Sequence, residues 1–236
     1  MIYRYPPLLQ GTLVRRYKRF FAEVALESGE VVTAHCPNTG PMTGVSQVGS
    51  PVCISRATAK GRTLLYTWEL IEVDGTWVGI NTSLPNRIIH LALKEHQLPG
   101  LPPYTEIQPE VRYGEEHSRI DFLLRGPAPT YVEVKNTTWA LPYGAGKIAL
   151  FPDTVTTRGH KHLRELILLV EQGVAAAIVF FVNRGDCPVF APGEKADPEY
   201  GRLLRLAHSR GVLVLPYRFR VSPEGIALEG LIPVVW

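Results

Sequence analysis

The chain has 236 residues, 45 % of them hydrophobic and 20 % charged, with a formal charge of +3; that length holds one large domain or two modest ones. No apolar run approaches the ~18 residues that span a bilayer, which excludes a transmembrane helix and a membrane partner, and Pro6-Pro7 break the start before any stretch of signal-peptide type. Cys36, Cys53 and Cys187 are odd in number and lack paired spacing, which argues against a disulfide framework and for a cytoplasmic protein.

Residues 1–80 read as short strands parted by turns. Residues 13–26 alternate loosely and close at Ser28-Gly29 as a hairpin. Strands follow at 31–34, 51–55, 64–73 and 77–80, the last two joined by the turn dipeptide Asp74-Gly75. About five strands in so short a stretch predict a closed or half-closed barrel, since an open sheet of that size leaves its edges exposed. An OB-like barrel is the preferred form and an SH3-like barrel the alternative.

From residue 81 the rhythm changes. Ser83 or Asn81 caps a predicted helix reaching about Gln97, with Ile88, Leu91, Ala92 and Glu95 at helical spacing. Strands are expected at 106–113, 119–124 and 131–136. A helix is expected over 157–171, burying Leu163, Leu166, Ile167 and Val170. Residues 175–182 form an unbroken apolar run, the mark of a strand covered on both faces. A third helix over 198–210 stops at Gly211, and 212–217 is the last predicted core strand. That order describes an α/β sandwich for residues 81–236, behind a barrel for residues 1–80.

The charge is close to balanced in both halves: 8 Lys/Arg against 6 Asp/Glu in residues 1–80, and 17 against 16 in the rest. A polyanion site must therefore come from local clusters. Arg15, Arg16, Lys18 and Arg19 surround Tyr17, and on a barrel strand they suit a phosphate backbone with the ring stacked on a base. Arg158, Lys161 and Arg164 recur every third residue in the second helix, beside His160 and His162, and suit phosphate contacts.

The most informative stretch is Arg119-Ile120-Asp121-Phe122-Leu123-Leu124, a Gly/Pro turn, then Tyr131-Val132-Glu133-Val134-Lys135. Strand alternation sends Ile120, Phe122, Leu124, Val132 and Val134 to one face and Asp121, Glu133 and Lys135 to the other. If Leu124 pairs with Thr130, Asp121 faces Glu133, an unfavourable like-charge pair that a divalent cation would relieve. Two carboxylates completed by waters and backbone oxygens suit Mg²⁺ (or Mn²⁺), which stabilises charge on a phosphate oxygen and acidifies a bound water. Lys135 is placed to orient or deprotonate that water. The same register sets Arg119 opposite Lys135.

These and other segments carry a family resemblance. Pro6–Gly11, His35-Cys36-Pro37-Asn38-Thr39-Gly40, Tyr66-Thr67-Trp68-Glu69-Leu70, Asn81-Thr82 with Leu84-Pro85-Asn86-Arg87, Ser118–Leu123, Tyr131–Asn136, Phe151-Pro152-Asp153, and Arg158-Gly159 with Lys161-His162-Leu163 stand in the order found in the sugar fermentation stimulation protein A family. The resemblance implies an N-terminal OB-like domain and a C-terminal domain of the PD-(D/E)xK restriction-endonuclease-like type. It further implies DNA binding with little sequence preference, and a link to genes of sugar (maltose) metabolism. The nuclease pattern's metal-binding Asp falls on Asp121, its Glu and Lys on Glu133 and Lys135, while Ile120 stands where a proline often precedes the Asp. Pro41 and Thr154 depart from the family's own pattern, which has Ser and Ala there.

Several weaker signals remain. Asp153 is either a further metal ligand or a cap or turn residue ahead of the second helix, where Thr154 and Thr156 compete for the cap. Trp139 is either a stacking platform or core. His35-Cys36 lacks a second pair at zinc spacing, and Gly144-Ala145-Gly146-Lys147 lacks the residues of a phosphate loop. Three functions stay open: DNA binding, metal-dependent phosphodiester cleavage, and non-enzymatic regulation through a protein partner. Monomer and homodimer are both compatible with the sequence.

Overall fold

The computed structural model describes residues 1–57, 63–113 and 118–236. Its strands are β1 (Tyr3–Arg4), β2 (Leu8–Tyr17), β3 (Phe21–Leu26), β4 (Val31–His35), β5 (Pro51–Arg56), β6 (Tyr66–Val73) and β7 (Thr76–Gly79). Helix α1 (Leu84–Lys94) follows, then β8 (Glu106–Tyr113), β9 (Ser118–Arg125), β10 (Thr130–Thr137), β11 (Ala140–Tyr143) and β12 (Gly146–Phe151). The rest comprises α2 (Thr157–Glu171), β13 (Ala175–Val182), β14 (Val189–Pro192), α3 (Pro198–Ser209), β15 (Leu213–Ser222) and β16 (Gly225–Leu231).

Strands β4-β3-β2-β5-β6 pair in that order, and the parallel pairing of β4 with β6 at Ala34↔Tyr66 and His35↔Thr67 closes them into a five-stranded OB barrel. Closure removes the edges that an open sheet would expose. The barrel encloses Leu13, Val24, Val52, Ile54, Trp68 and Ile71. The expected single stretch over 13–26 is in fact two strands. Lys18 and Arg19, at φ 46° and 62°, make the turn between β2 and β3 without the Gly or Asn that normally marks one.

The C-terminal domain is an α/β unit around a seven-stranded sheet ordered β1-β16-β15-β13-β10-β9-β8. Strand β13 shows why both faces are covered. Ala177, Val179 and Phe181 pack into the core under α1, which also takes Cys53 and Leu70 from the barrel. Ala176, Ile178, Phe180 and Val182 pack under α2 and α3. Each helix is anchored by local chemistry. Thr156 Oγ1 accepts from Gly159 N at 3.0 Å to cap α2, and Asp197 Oδ1 accepts from Tyr200 N at 3.0 Å to cap α3. At α1 the carboxamide oxygen of Asn81 accepts from both Ser83 N and Ser83 Oγ.

Four differences from the sequence reading have plain causes. Helix α1 ends at Lys94 rather than near Gln97, because His96 turns into the left-handed region (φ 50°) and Gln97 N donates back to Ala92 O. The last predicted strand is followed by a further one, β16, which folds back antiparallel onto β15. Strands β11, β12 and β14 form a small third sheet, with Gly144 (φ 56°) in the β11–β12 turn. Finally, Ile120 packs under α2, while Phe122 and Leu124 pack under α1, so strict alternation fails across Asp121.

Barrel and sheet are joined through Gly79 and Asn183. Gly79 N donates to Asn183 O, and Asn183 Nδ2 donates to Gly79 O. A Cβ at Gly79 would lie 2.1 Å from Asn183 Oδ1, so any side chain there would have to displace the Asn183 carboxamide from this seam. Among the described residues, no helix is long and apolar enough to cross a membrane.

Candidate phosphodiester site

Strands β9 and β10 pair at Leu124↔Thr130, Leu123↔Tyr131 and Phe122↔Val132, the register expected from the sequence. The ladder stops there, one residue short of Asp121 and Glu133. Instead, Val134 N donates to Asp121 Oδ2 at 2.7 Å, so a carboxylate takes the place of a ladder carbonyl and the strands diverge around it. Arg119 consequently does not face Lys135. It pairs with Arg112 across β8, and its guanidinium reaches Glu110 at 3.4 Å.

Asn86, from the first turns of α1, donates to Asp121 Oδ1 at 2.6 Å. Both Asp121 oxygens are thereby fixed. Burial, followed by the charge of Glu133, pushes the Asp121 carboxyl up to about 6. Glu133 points toward α2 and is 3 % exposed. Burial opposes its charged form, yet the Lys135 ammonium and His162 hold its carboxyl below the usual range.

Lys135 Nζ donates to Glu133 Oε1 at 2.6 Å and lies 3.1 Å from His162 Nδ1. Arg158 Nε donates to His162 Nε2 at 3.3 Å. This network makes Nε2 an acceptor and assigns the ring proton to Nδ1, which donates to Glu133 Oε1. Glu133 Oε2 is buried with no partner among the described residues. An orphaned carboxylate oxygen beside a second carboxylate is a hard-oxygen donor set that fits Mg²⁺ or Mn²⁺. Among the described residues, no group of three or more His, Cys, Asp or Glu is placed to hold a metal, so waters or substrate oxygens would have to complete such a shell.

The structure thus gathers Asp121, Glu133, Lys135 and Arg158, and adds two residues. His162, which the sequence sets only beside the cationic series of α2, as a structural histidine or a phosphate contact, touches both Glu133 and Lys135. Asn86 was missed, since its only signal is a place in one of the segments that carry the resemblance. Lys161 is half-buried and Arg164 exposed. A spacing of three falls about 60° short of a full helical turn at each step, so the series winds off one face.

The barrel cluster is differently disposed. Arg15 forms a two-pronged ion pair with Glu23 (2.6 and 2.7 Å), and Arg16 Nη2 donates to Asn38 O and Gly40 O at 2.9 Å, holding the loop after β4. Tyr17 stacks on Phe21 with ring centroids 5.2 Å apart. Lys18 and Arg19 stand exposed at the hairpin tip. Asp153 does not cap α2; it accepts from Thr43 N at 3.3 Å and borders a small cavity with Asn38, Thr82 and Asn136. Trp139 packs with Ile148 and Leu150.

Comparison with known proteins agrees with this architecture. The family described as Sugar fermentation stimulation protein RE domain matches residues 83–225, and SfsA N-terminal OB domain matches residues 14–80. The chain is 57 % identical over 231 residues to the sugar fermentation stimulation protein homolog of Gloeobacter violaceus, covering 98 % of this chain and 96 % of the relative. It is 58 % identical over 239 residues to the homolog of Cyanothece sp., covering 99 % and 98 %. Among solved structures, SfsA of Pyrococcus furiosus, in complex with Ca²⁺, superposes with a TM-score of 0.87 at 27 % identity, over 99 % of this chain and 98 % of that one.

Proposed function

We propose that this chain, which belongs to the sugar fermentation stimulation protein family, is a DNA-binding protein that grips the sugar-phosphate backbone with little regard for sequence and seats one phosphate at Asp121, Glu133 and Lys135. The observation that carries this reading is the buried Glu133 carboxylate, with Oε1 held by Lys135 and Oε2 without a partner among the described residues. Asp121 and Glu133 would hold a divalent cation, which supplies positive charge at a phosphoryl oxygen and lowers the pKa of a bound water. The Ca²⁺ named for the Pyrococcus furiosus relative supports a divalent ion in this family. Asn86 keeps the Asp121 carboxylate aimed, His162 keeps the Glu133 carboxylate turned toward Lys135, and Arg158 brings a second cation to the rim. Phosphate contacts of this kind dominate affinity and carry no sequence information. Control of sugar metabolism genes would act through such binding.

A second reading, phosphodiester cleavage, is favoured by Lys135. A Lys ammonium fixed 2.6 Å from a buried carboxylate is placed to orient a water or steady an anionic phosphorane. Fluorescence anisotropy with several unrelated labelled duplexes tests the first reading: similar affinities that fall steeply with salt are expected. Salt-independent binding, or none, would leave a protein-partner regulator instead. Incubating duplex, single-stranded and branched DNA with Mg²⁺ or Mn²⁺ tests the second. Cutting that disappears in Lys135→Ala is expected, and intact substrates throughout would remove it.

A further inference from the structure

A cavity of about 670 Å³ lies away from the carboxylate pair, at the seam between barrel and α1. Helix α1 separates the two sites. Asn86 reaches Asp121, whereas Arg87, turned by about 100° on the helix, lines the cavity. Three arginines line it, Arg4 on β1, Arg56 at the end of β5 and Arg87, and all three residues are exposed. The Arg87 guanidinium lies over the Tyr3 ring, 5.2 Å from its centroid. Among the described residues, the one carboxylate in the lining is Glu69 on β6, buried, whose contacts include Ser55 Oγ at 2.6 Å and Asn81 Nδ2 at 2.8 Å. Glu69, Asn81 and Arg87 all come from segments singled out in the sequence, and none of the three belongs to the phosphodiester site.

We infer that this cavity is a binding site for a nucleotide-sized phosphate ester, either a free mononucleotide or the phosphorylated end of a strand. Its volume falls in the range that encloses one small organic ligand, about 300–1,000 Å³. Three arginines around one carboxylate leave a positive field, and guanidinium forks match phosphate oxygens in pairs. The stacked Arg87–Tyr3 pair offers a planar surface of the kind on which bases pack.

Calorimetry in EDTA, with no divalent cation to serve the carboxylate pair, tests this independently of the phosphodiester reading. The probes are the four nucleoside 5′-monophosphates, the matching nucleosides, inorganic phosphate and a 5′-phosphorylated tetranucleotide. Saturable binding of a monophosphate or of the tetranucleotide, at least tenfold tighter than nucleoside or inorganic phosphate, is expected; whichever binds tighter identifies the source. Arg87→Ala and Arg56→Ala, both at exposed positions, should each weaken it about tenfold or more, while Asp121→Ala should bind as wild type. Absence of saturable binding, equal binding of inorganic phosphate, or unchanged affinity in the arginine variants would overturn the assignment.

Discussion

Lys135 Nζ sits 2.6 Å from Glu133 Oε1, two residues along the same strand, while Oε2 of that carboxylate is buried and has no partner among the described residues. One oxygen meets both Lys135 and His162, and the other meets no partner among the described residues. Burial makes the imbalance expensive, since an unsatisfied polar atom costs about 1–3 kcal/mol.

That imbalance makes a prediction about metal affinity. Titration with Mn²⁺ should show one site that disappears in Glu133→Gln. Asn86→Ala, which frees Asp121 without removing a carboxylate, should weaken Mn²⁺ by about 10- to 100-fold with the melting temperature nearly unchanged. Equal affinity in all three proteins would refute the proposed ligand set.

The barrel hairpin separates exposed cations from engaged ones. Lys18→Ala/Arg19→Ala should weaken binding to every duplex by a similar factor and reduce the salt slope by about 2. Arg15→Ala should change it less, because Arg15 is already bound to Glu23. A selective loss on one duplex sequence would mean that these residues read bases.

Arg184 is 2 % exposed; its Nε and Nη2 donate to the two Asp186 oxygens at 2.6 and 2.7 Å, while Nη1 donates to Thr138 O. Asp186→Ala strands a buried guanidinium and should cost about 3–5 kcal/mol in urea unfolding. Burial alone would raise the Asp186 carboxyl, but Arg184 holds it below the usual range. The pair's stabilisation is therefore present above the unfolded value near 3.9 and fades as pH falls through the lower folded one. The stability gap between wild type and Asp186→Asn should accordingly narrow at pH 3 relative to pH 7; a constant gap would contradict the coupling.

All three cysteines are free and buried, and burial pushes the Cys53 and Cys187 thiols up to about 12 and raises Cys36. The thiolate is the reactive form. Ellman's reagent should therefore titrate almost no thiol in the native protein and three equivalents in guanidinium chloride. Rapid native labelling would show that one of these sites opens readily.

Local chemistry made much of this molecule legible. The apolar run of β13, Thr156 as one of the candidate caps of α2, and the Leu124↔Thr130 register follow from period, capping and turn rules that act over a few residues. The turn at Lys18-Arg19 escaped because its residues adopt left-handed backbone without the usual composition. The small sheet of β11, β12 and β14 escaped because it joins segments some forty residues apart.

By itself the sequence determined which residue types could do chemistry, and that Asp121, Glu133 and Lys135 belong to neighbouring strands. Only the tertiary structure decided their states. Helix α2 covers Glu133 and supplies His162, helix α1 supplies Asn86, and the divergence of β9 from β10 turns Asp121 into an acceptor for Val134 N. Strand alternation assigns a side chain to a face; what covers that face, and so how strongly a buried charge depends on its partners, is set by packing between distant segments.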